Sequence, residues 1–206
     1  MAPGCAAVRA SADAIAPIDA FTRLPKTAAS ASLRTEEVRL APLSNADAPL
    51  LFEWINDRTQ VLFNAPYKPV SEPEHLRWLS DVTSRPDTVI FGIRTIETDT
   101  LVGSCQLHSI SKVHRCAELQ IRLGDTRARG KGYGKAAVRL LLEFGFSDLN
   151  LNRIFVHVFA DNAPAIRLYE TTGFKHEGAL RSAAFIDGKF VDVLVMGILK
   201  DEFSGR

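Results

Sequence analysis

The chain has 206 residues, 46% of them hydrophobic, which is enough for one well-packed core and short for two. Its 25 basic and 24 acidic residues give a formal net charge of +1, which argues against nucleic acid or an anionic membrane as the main partner. No run of about 18 apolar residues occurs, so no transmembrane helix is predicted. Cys5, Cys105 and Cys116 lack metal-ligand spacing, and their odd number favours a reducing compartment, the cytoplasm. We therefore expect no metal site.

The first 35 residues differ in composition from the rest of the chain. They are rich in Ala and Ser, and they show no sustained hydrophobic periodicity. Arg9, Asp13 and Asp19 interrupt every stretch that might serve as the apolar region of a secretory signal. The sequence predicts a disordered extension over residues 1–35, with an organelle targeting peptide as the alternative, and a folded domain over residues 36–203.

From residue 38 onwards, turn residues alternate with periodic apolar segments. Two patterns typical of capping boxes, beginning at Ser44 and Ser71, each precede a helical segment. Asp187-Gly188 predicts a type I′ hairpin turn. In chain order, the predicted elements are a strand at 38–43, helices around 50–55 and 71–82, strands at 88–95, 101–109 and 115–123, a helix after 134, a strand at 153–159, a helix at 163–171, and hairpin strands at 180–186 and 190–199.

This order of elements predicts an α+β fold with a single mixed, mostly antiparallel sheet flanked by helices. The helix after residue 134 should bury one side, formed by Ala137, Val138, Leu141, Leu142, Gly145 and Phe146. The helix at 71–82 runs through Leu76, Trp78, Leu79 and Val82. The order does not match a doubly wound nucleotide-binding sheet.

A loop of alternating glycines lies between a predicted strand and a predicted helix. Glycine allows backbone N–H groups to approach an anion closely, and the start of a helix adds partial positive charge. Arg127, Arg129, Lys131 and Lys135 surround Gly130, Gly132 and Gly134 with cations. The spacing fits neither a P-loop nor a dinucleotide fingerprint. The loop therefore predicts a phosphate or pyrophosphate site, with a plain basic turn as the alternative.

Three segments carry a resemblance to a known family. Arg129-x-x-Gly132-x-Gly134 matches the pattern Gln/Arg-x-x-Gly-x-Gly/Ala, residues 117–123 look like the strand before it, and residues 161–170 with Gly173-Phe174 look like a later helix. Over residues 38–199 the chain resembles the GNAT superfamily of N-acetyltransferases. It is most similar to the branch of ribosomal-protein N-terminal, spermidine and nucleotide-amino-sugar acetyltransferases. The resemblance implies the GNAT fold, in which the strand at 117–123 splays from its neighbour.

The resemblance also implies acetyl-CoA as cosubstrate. The implied contacts are the backbone of Ile121, Arg122 and Leu123 for pantetheine, the segment Arg129, Gly130, Lys131, Gly132, Tyr133, Gly134 and Lys135 for pyrophosphate, and Asn162 for the pantetheine arm. One N–H of residues 121–123 would polarise the acetyl carbonyl. A plain helix N-cap is the alternative, compatible role for Asn162.

Two side chains are the implied catalytic groups. Tyr169 would protonate the leaving thiolate, and Glu118 would accept the ammonium proton, directly or through water. The alternatives are a packed tyrosine with an idle hydroxyl and a salt-bridged strand carboxylate. Family members use direct attack by the amine, so neither Cys105 nor Cys116 is expected to act as a nucleophile.

The helices near the start of the domain frame the acceptor site in related enzymes. This implies Trp54, Asn56 and His75 as substrate residues, with a helix-surface histidine as the alternative for His75. The expected acceptor is a primary amine of a small molecule or a protein N-terminus, and a homodimer is possible. A catalytically idle CoA-binding module is the alternative function.

Overall fold

The structure is a computed structural model that describes residues 33–203. Most of the predicted extension therefore lies outside the described residues. The carbonyl of Leu33 accepts a hydrogen bond of 2.9 Å from the N–H of Leu40, and the Leu33 side chain packs against the core. The folded domain thus includes Leu33, three residues before the predicted start at residue 36. Within the described residues, none of the helices is long and apolar enough to cross a membrane.

The elements follow the predicted order, with one additional short helix. The strands are β1 Val38–Pro42, β2 Val89–Thr95, β3 Leu101–Ser111, β4 Cys116–Leu123, β5 Arg153–Phe159, β6 Lys175–Ile186 and β7 Lys189–Leu199. The helices are α1 Ala48–Asn56, α2 Arg58–Val61, α3 Glu72–Ser84, α4 Tyr133–Ser147 and α5 Ala163–Thr171, and single 3₁₀ turns precede α1 and α4. The four residues of α2 are too few to show periodicity in the sequence.

All seven strands form one sheet in the order β1-β2-β3-β4-β5-β7-β6. Every neighbouring pair is antiparallel except β4 and β5, which are parallel. The predicted mixed, mostly antiparallel α+β fold is therefore confirmed. The parallel pair extends only from Cys116↔Arg153 to Glu118↔Phe155, after which β4 and β5 separate.

Helix α4 supplies the centre of the main core. Its predicted apolar side is buried, as the 3.6-residue period requires. A Cβ on Gly145 would lie 2.6 Å from Cδ1 of Ile154 on β5, so glycine allows the helix to approach the sheet closely. The close contact fixes α4, and with it the loop at its N-terminus, against the sheet.

The buried stripe of α3 includes a histidine. Leu79 and Val82 are buried, but Leu76 and Trp78 are 47% and 38% exposed, and His75 is buried instead. Residues 75, 79 and 82 follow the i, i+4, i+7 spacing of one helical stripe. The alternative of a helix-surface position for His75 is therefore wrong, because His75 lies on the buried stripe of α3.

The two predicted capping boxes also differ in outcome. The Asp47 carboxylate accepts hydrogen bonds from the Ser44 N–H at 2.9 Å and from its hydroxyl at 3.1 Å, and this closes the turn before α1. Ser71 occupies the N-cap position of α3, but its side chain makes no capping bond. Pro73, two residues into the helix, has no N–H to offer it.

The terminal hairpin is longer than predicted, because β6 begins at Lys175 rather than at residue 180. Nearly the whole of β6 is exposed, and two register shifts interrupt its pairing with β7, so no apolar alternation marks its start. The turn itself matches the prediction. Asp187 and Gly188 have φ values of 48° and 83°, as a type I′ turn requires.

The contact between β3 and β4 at Gly103 generates a stability prediction. A Cβ at Gly103 would lie 2.3 Å from the Arg122 carbonyl oxygen, a backbone atom that cannot rotate away. We expect Gly103→Ala to lower the free energy of unfolding by about 1–3 kcal/mol, the usual cost of overpacking. Thermal denaturation should then show a melting temperature lower by roughly 2–4 °C per kcal/mol.

Gly178→Ala is the matched control, because an added Cβ there meets no atom within 4 Å. Its melting temperature should stay close to that of the wild type. Equal melting temperatures for the two variants would contradict the close strand approach.

Candidate active site

The separation of β4 from β5 opens a fork in the middle of the sheet. Glu118 belongs to the last parallel pair, and from Leu119 onwards β4 is paired only with β3. Beyond the fork, β4 therefore presents backbone groups that have no partner on β5. The predicted splaying of this strand is present in the structure.

A cavity of about 380 Å³ occupies the open side of the fork, and we call it the loop cavity. Its walls come from the end of β4, the glycine loop, the first turns of α4 and α5, and the segment around α2. The lining residues are Gln60, Phe63, Asn64, Ile121, Arg122, Leu123, Arg129, Gly130, Gly132, Gly134, Lys135, Asn162, Pro164, Ala165 and Leu168. Most of the residues predicted to contact CoA are therefore brought together around one cavity.

The glycine loop has the backbone geometry of an anion site. Gly130 and Gly132 have φ values of 74° and 83°, which side chains other than glycine rarely adopt. Gly132 is the N-cap of α4, and the first backbone bond of this helix runs from Ala136 N–H to the Gly132 carbonyl at 3.0 Å. The N–H groups of residues 133–135 therefore have no acceptor within the helix.

The cations of the loop divide into two groups. Arg127 hydrogen-bonds to Asp125 at 3.0 and 3.1 Å and holds the pKa of that carboxyl below its ordinary value. Arg127 is thus committed to Asp125. Arg129, Lys131 and Lys135 are exposed and form no ion pair with any residue from 33 to 203. Three cations near the start of α4 remain available to an anion.

Asn162 joins two walls of the loop cavity. Its Oδ1 accepts from the Ala165 N–H at 3.2 Å, so it is the N-cap of α5, and its Nδ2 donates to the Phe63 carbonyl at 3.0 Å. The Arg129 guanidinium lies 5.8 Å from the centre of the Phe63 ring. The capping role is confirmed, and the same side chain anchors the segment after α2 beside the glycine loop.

A second cavity of about 330 Å³ lies on the other side of β4, and we call it the helix cavity. Helices α1 and α3 form its roof, and the polar face of β3 and β4 forms its floor. Its lining residues are Leu51, Trp54, Ile55, Val70, Glu74, His75, Trp78, Ile90, Ser104, Cys105, Gln106, Gln120, Ile121 and Arg122. The two cavities share Ile121 and Arg122, so they meet at this point of β4.

Two of the three predicted acceptor residues line the helix cavity. Trp54 packs on Gly124, where a Cβ would lie 1.9 Å from its Cδ2. His75 is buried, and its Nε2 donates to the Ala48 carbonyl at 3.1 Å. Burial lowers the pKa of His75, and the bond to Ala48 offsets this only in part. Its ring is therefore neutral near pH 7.

Asn56, the third predicted acceptor residue, does not line the helix cavity. Its Oδ1 accepts from the Val70 N–H at 2.9 Å, and its Nδ2 donates to the carbonyls of Val70 and Phe52 at 3.1 and 3.2 Å. Val70 itself lines the cavity. The Asn56 amide therefore holds a wall of the helix cavity in place.

Tyr169 and Glu118 lie close enough to influence each other electrostatically. Burial raises the pKa of Tyr169 to about 12, with the negative charge of Glu118 as a second cause. The tyrosine ring packs against Phe174, with 5.4 Å between ring centres. Neither residue lines the loop cavity or the helix cavity. Because its pKa is raised to about 12, the Tyr169 hydroxyl is protonated at every physiological pH.

Glu118 also has a direct hydrogen-bond partner. Its Oε1 lies 2.8 Å from Nδ1 of His157, which is partly exposed on β5. The alternative of a paired strand carboxylate is therefore present in the structure, with the His157 imidazole as the partner of Glu118.

Two glutamines were missed by the sequence analysis. Gln60 lines the loop cavity and Gln106 the helix cavity, and the Oε1 of each is buried without a hydrogen-bond partner in the described part of the chain. Buried acceptors of this kind normally have a partner. No sequence pattern distinguishes these two amides from the many that lie on protein surfaces.

Cys105 and Cys116, the cysteines that lie between residues 33 and 203, form no bridge. Cys105 is buried opposite Ile121, and Cys116 is half-buried opposite Ser111, so the two thiols do not face each other. Burial raises the pKa of the Cys105 thiol far above its ordinary range. A protonated thiol is a poor nucleophile. Between residues 33 and 203, no group of three His, Cys, Asp or Glu side chains is arranged to hold a metal.

Residues 37–175 match the family model of the acetyltransferase (GNAT) domain. The chain belongs to the GNAT acetyltransferase family. It is 32% identical over 177 residues to the uncharacterized N-acetyltransferase p20 of Bacillus licheniformis, covering 84% of this chain and 99% of that one. It is 31% identical over 174 residues to the spermidine N(1)-acetyltransferase of Vibrio cholerae, covering 82% and 97%.

Solved structures of this GNAT family agree with the fold. The spermidine N-acetyltransferase of Vibrio cholerae, solved with CoA and spermine, superposes with a TM-score of 0.75 at 29% identity. The match covers 82% of this chain and 98% of that one. The fold and the family resemblance are thus confirmed, and the protein is an N-acetyltransferase.

The geometry of the glycine loop predicts how a charge change affects CoA binding. Gly132→Asp places a carboxylate at the start of α4, where the pyrophosphate is expected. Loss of one charge-assisted hydrogen bond costs about 1.5–3 kcal/mol, so the Kd for CoA, measured by calorimetry, should rise about 10- to 150-fold.

For the wild type, the Kd for CoA should rise with salt concentration, because the loop cations are exposed.

Gly188→Asp is the control for the strain of the substitution. Gly188 has the same φ of 83° and the same open surroundings, but it lies in the β6–β7 turn. Its Kd for CoA should match the wild-type value. An unchanged Kd in Gly132→Asp would remove the pyrophosphate from this loop.

Proposed function

We propose that the protein transfers an acetyl group from acetyl-CoA to a primary amine of a small molecule or of a protein N-terminus by direct attack in a ternary complex. The observation that carries the proposal is the meeting of the two cavities at Ile121 and Arg122. A donor in the loop cavity and an acceptor in the helix cavity would reach the same stretch of β4 from opposite sides. The relative solved with both CoA and spermine supports this arrangement.

The loop cavity would hold the donor by charge and by backbone contacts. The pyrophosphate would lie at the start of α4 beside Arg129, Lys131 and Lys135. The pantetheine arm would follow residues 121–123, whose backbone groups on the open side of the fork lack a strand partner. Gln60 offers an unpartnered acceptor for an amide N–H of that arm. When bound, acetyl-CoA supplies an electrophilic thioester carbonyl, which a β4 N–H would polarise.

An ammonium acceptor loses two protons in all: one is removed before the attack and is released, and the one lost as the amide forms replaces the proton that the departing sulfur takes up. The amine nitrogen forms a bond to the acetyl carbon, and the carbon–sulfur bond breaks. Glu118, backed by His157 on the partly exposed strand β5, would accept the ammonium proton. Tyr169 would donate its hydroxyl proton to the sulfur, since its raised pKa keeps the proton in place until a strong base develops.

A catalytically idle CoA-binding module would hold CoA without turnover, and the named activity of the spermidine N(1)-acetyltransferase relative argues against it. Release of free thiol from acetyl-CoA, measured with and without polyamines, amino sugars and peptide N-termini, distinguishes the two functions. Amine-dependent release supports the transferase. CoA binding with no release for any amine would support the idle module.

A cytoplasmic location and a homodimer stay predictions.

Tyr169 provides the mechanistic prediction. Tyr169→Phe keeps the packing on Phe174 and removes only the hydroxyl, so the melting temperature and the Kd for acetyl-CoA should barely change. General acid catalysis contributes about 10²–10⁴-fold, and we expect kcat to fall by an amount near the lower end, because the raised pKa makes the hydroxyl a weaker acid.

Tyr67→Phe serves as the control, since it removes a tyrosine hydroxyl that makes only a 3.4 Å contact to the Asn56 carbonyl. Its kcat should stay near that of the wild type. A Tyr169→Phe enzyme that turns over within about threefold of the wild type would make Tyr169 a packing residue and leave water as the acid.

A further inference from the structure

Arg122 is a cation at the junction of the two cavities. Its position on β4 places its side chain on the same face as Glu118 and Gln120, opposite Ser104 of β3. Its neighbours Ile121 and Leu123 pack on the main core from the other face. The guanidinium of Arg122 therefore belongs to the floor beneath α1 and α3, where it is half-buried and lines both cavities.

No carboxylate neutralises Arg122 within residues 33–203. Three other half-buried arginines each form an ion pair: Arg39 with Asp99, Arg94 with Asp47, and Arg153 with Glu177. Arg122 forms no such pair, and burial alone lowers its pKa. A partly desolvated charge without a partner is unfavourable, and such groups in a cavity commonly mark a binding site.

The rest of the helix cavity is poorly suited to a polycation. Among residues 33–203, Glu74 is the one acidic residue that lines it; this side chain is half-exposed, and its Oε1 lies 4.0 Å from Nζ of Lys68. His75 is neutral, and the remaining lining is apolar or uncharged. A polyamine keeps several ammonium groups charged at neutral pH, and each of them would need an acidic partner in the cavity. Arg122, which is itself a cation, would repel these ammonium groups.

Arg122 is also poorly placed to serve the donor. The cations expected to bind the pyrophosphate lie on the glycine loop and the first turn of α4, whereas Arg122 lies on β4. The acetyl end of the donor, expected along residues 121–123, carries no negative charge. An anion at Arg122 would therefore come from the acceptor.

We propose that the acceptor is a small amine that carries an anionic carboxylate or phosphate group, which Arg122 binds while the amine lies in the helix cavity. Guanidinium groups bind both anions in a bidentate manner. The unpartnered Oε1 of Gln106 provides an acceptor for an N–H of the same amine. This inference rests on the proposed acetyl transfer and narrows its substrate class.

The test compares pairs of acceptors in which one member carries an anionic group and the other does not. Wild-type kcat/KM is measured by thiol release for phenylalanine against phenylalaninamide, for glucosamine 6-phosphate against glucosamine, and for spermidine. We expect the anionic member of at least one pair to be preferred about tenfold or more, which corresponds to one well-formed charged contact. The carboxylate and phosphate pairs show which anion the site takes.

Arg122→Gln should abolish that preference by raising KM for the anionic acceptor, while the Kd for CoA stays unchanged. Arg122→Lys should restore part of it. Arg85→Gln, which removes an exposed charge at the end of α3, should keep the preference. Because Arg122 has no partner to lose, the Arg122→Gln protein should melt at the same or a higher temperature than the wild type.

Three results would overturn the inference while leaving acetyl transfer intact. They are equal kcat/KM within both pairs, spermidine as the best acceptor, and an Arg122→Gln variant that loses CoA affinity instead of acceptor affinity. Absence of thiol release with every amine, despite CoA binding, would instead overturn the proposed function and this inference with it.

Discussion

The short parallel pairing of β4 and β5 is the constraint on which the rest of the site depends. Because the pairing ends at Glu118↔Phe155, β4 continues without a partner on its β5 side and exposes backbone groups to a cavity. The loop that follows β4 leads into α4, and the turn after β5 leads into α5. The same fork thus positions the glycine loop at the start of α4 and the capped start of α5 around the loop cavity.

Contacts between distant segments keep the two cavities in shape. Asn162 ties α5 to the Phe63 carbonyl, Trp54 packs on Gly124, and Asn56 holds Val70. In these contacts, groups of the framework bind or pack on one another. The cations that line the cavities form no ion pair within residues 33–203, so they remain available to ligands. In the proposal above, Arg122 is the cation that binds the acceptor.

The sequence predicted those features that depend on local periodicity or on backbone conformation. The buried side of α4 follows from its 3.6-residue period, the turn at Asp187 from residues that tolerate positive φ, and the loop from alternating glycines. The splaying of β4 was implied by family resemblance and could not be derived from periodicity.

Features that depend on long-range packing were not predictable. His75 is buried because α3 packs against α1. The amide of Asn56 forms hydrogen bonds with Val70, a residue 14 positions away in the sequence. The alternation Glu118, Gln120, Arg122 is typical of a solvent-exposed strand face. Only the placement of α1 and α3 over that face desolvates Arg122, and no local pattern encodes this placement.

Initial-rate kinetics test the meeting of the two cavities most directly. Acetyl-CoA is varied at several fixed concentrations of an accepted amine, and the intact mass of the protein is measured after incubation with acetyl-CoA alone. Simultaneous occupation of both cavities predicts intersecting double-reciprocal lines and an unmodified protein. Parallel lines together with an acetylated protein would contradict it, because they would require a covalent intermediate and no ternary complex.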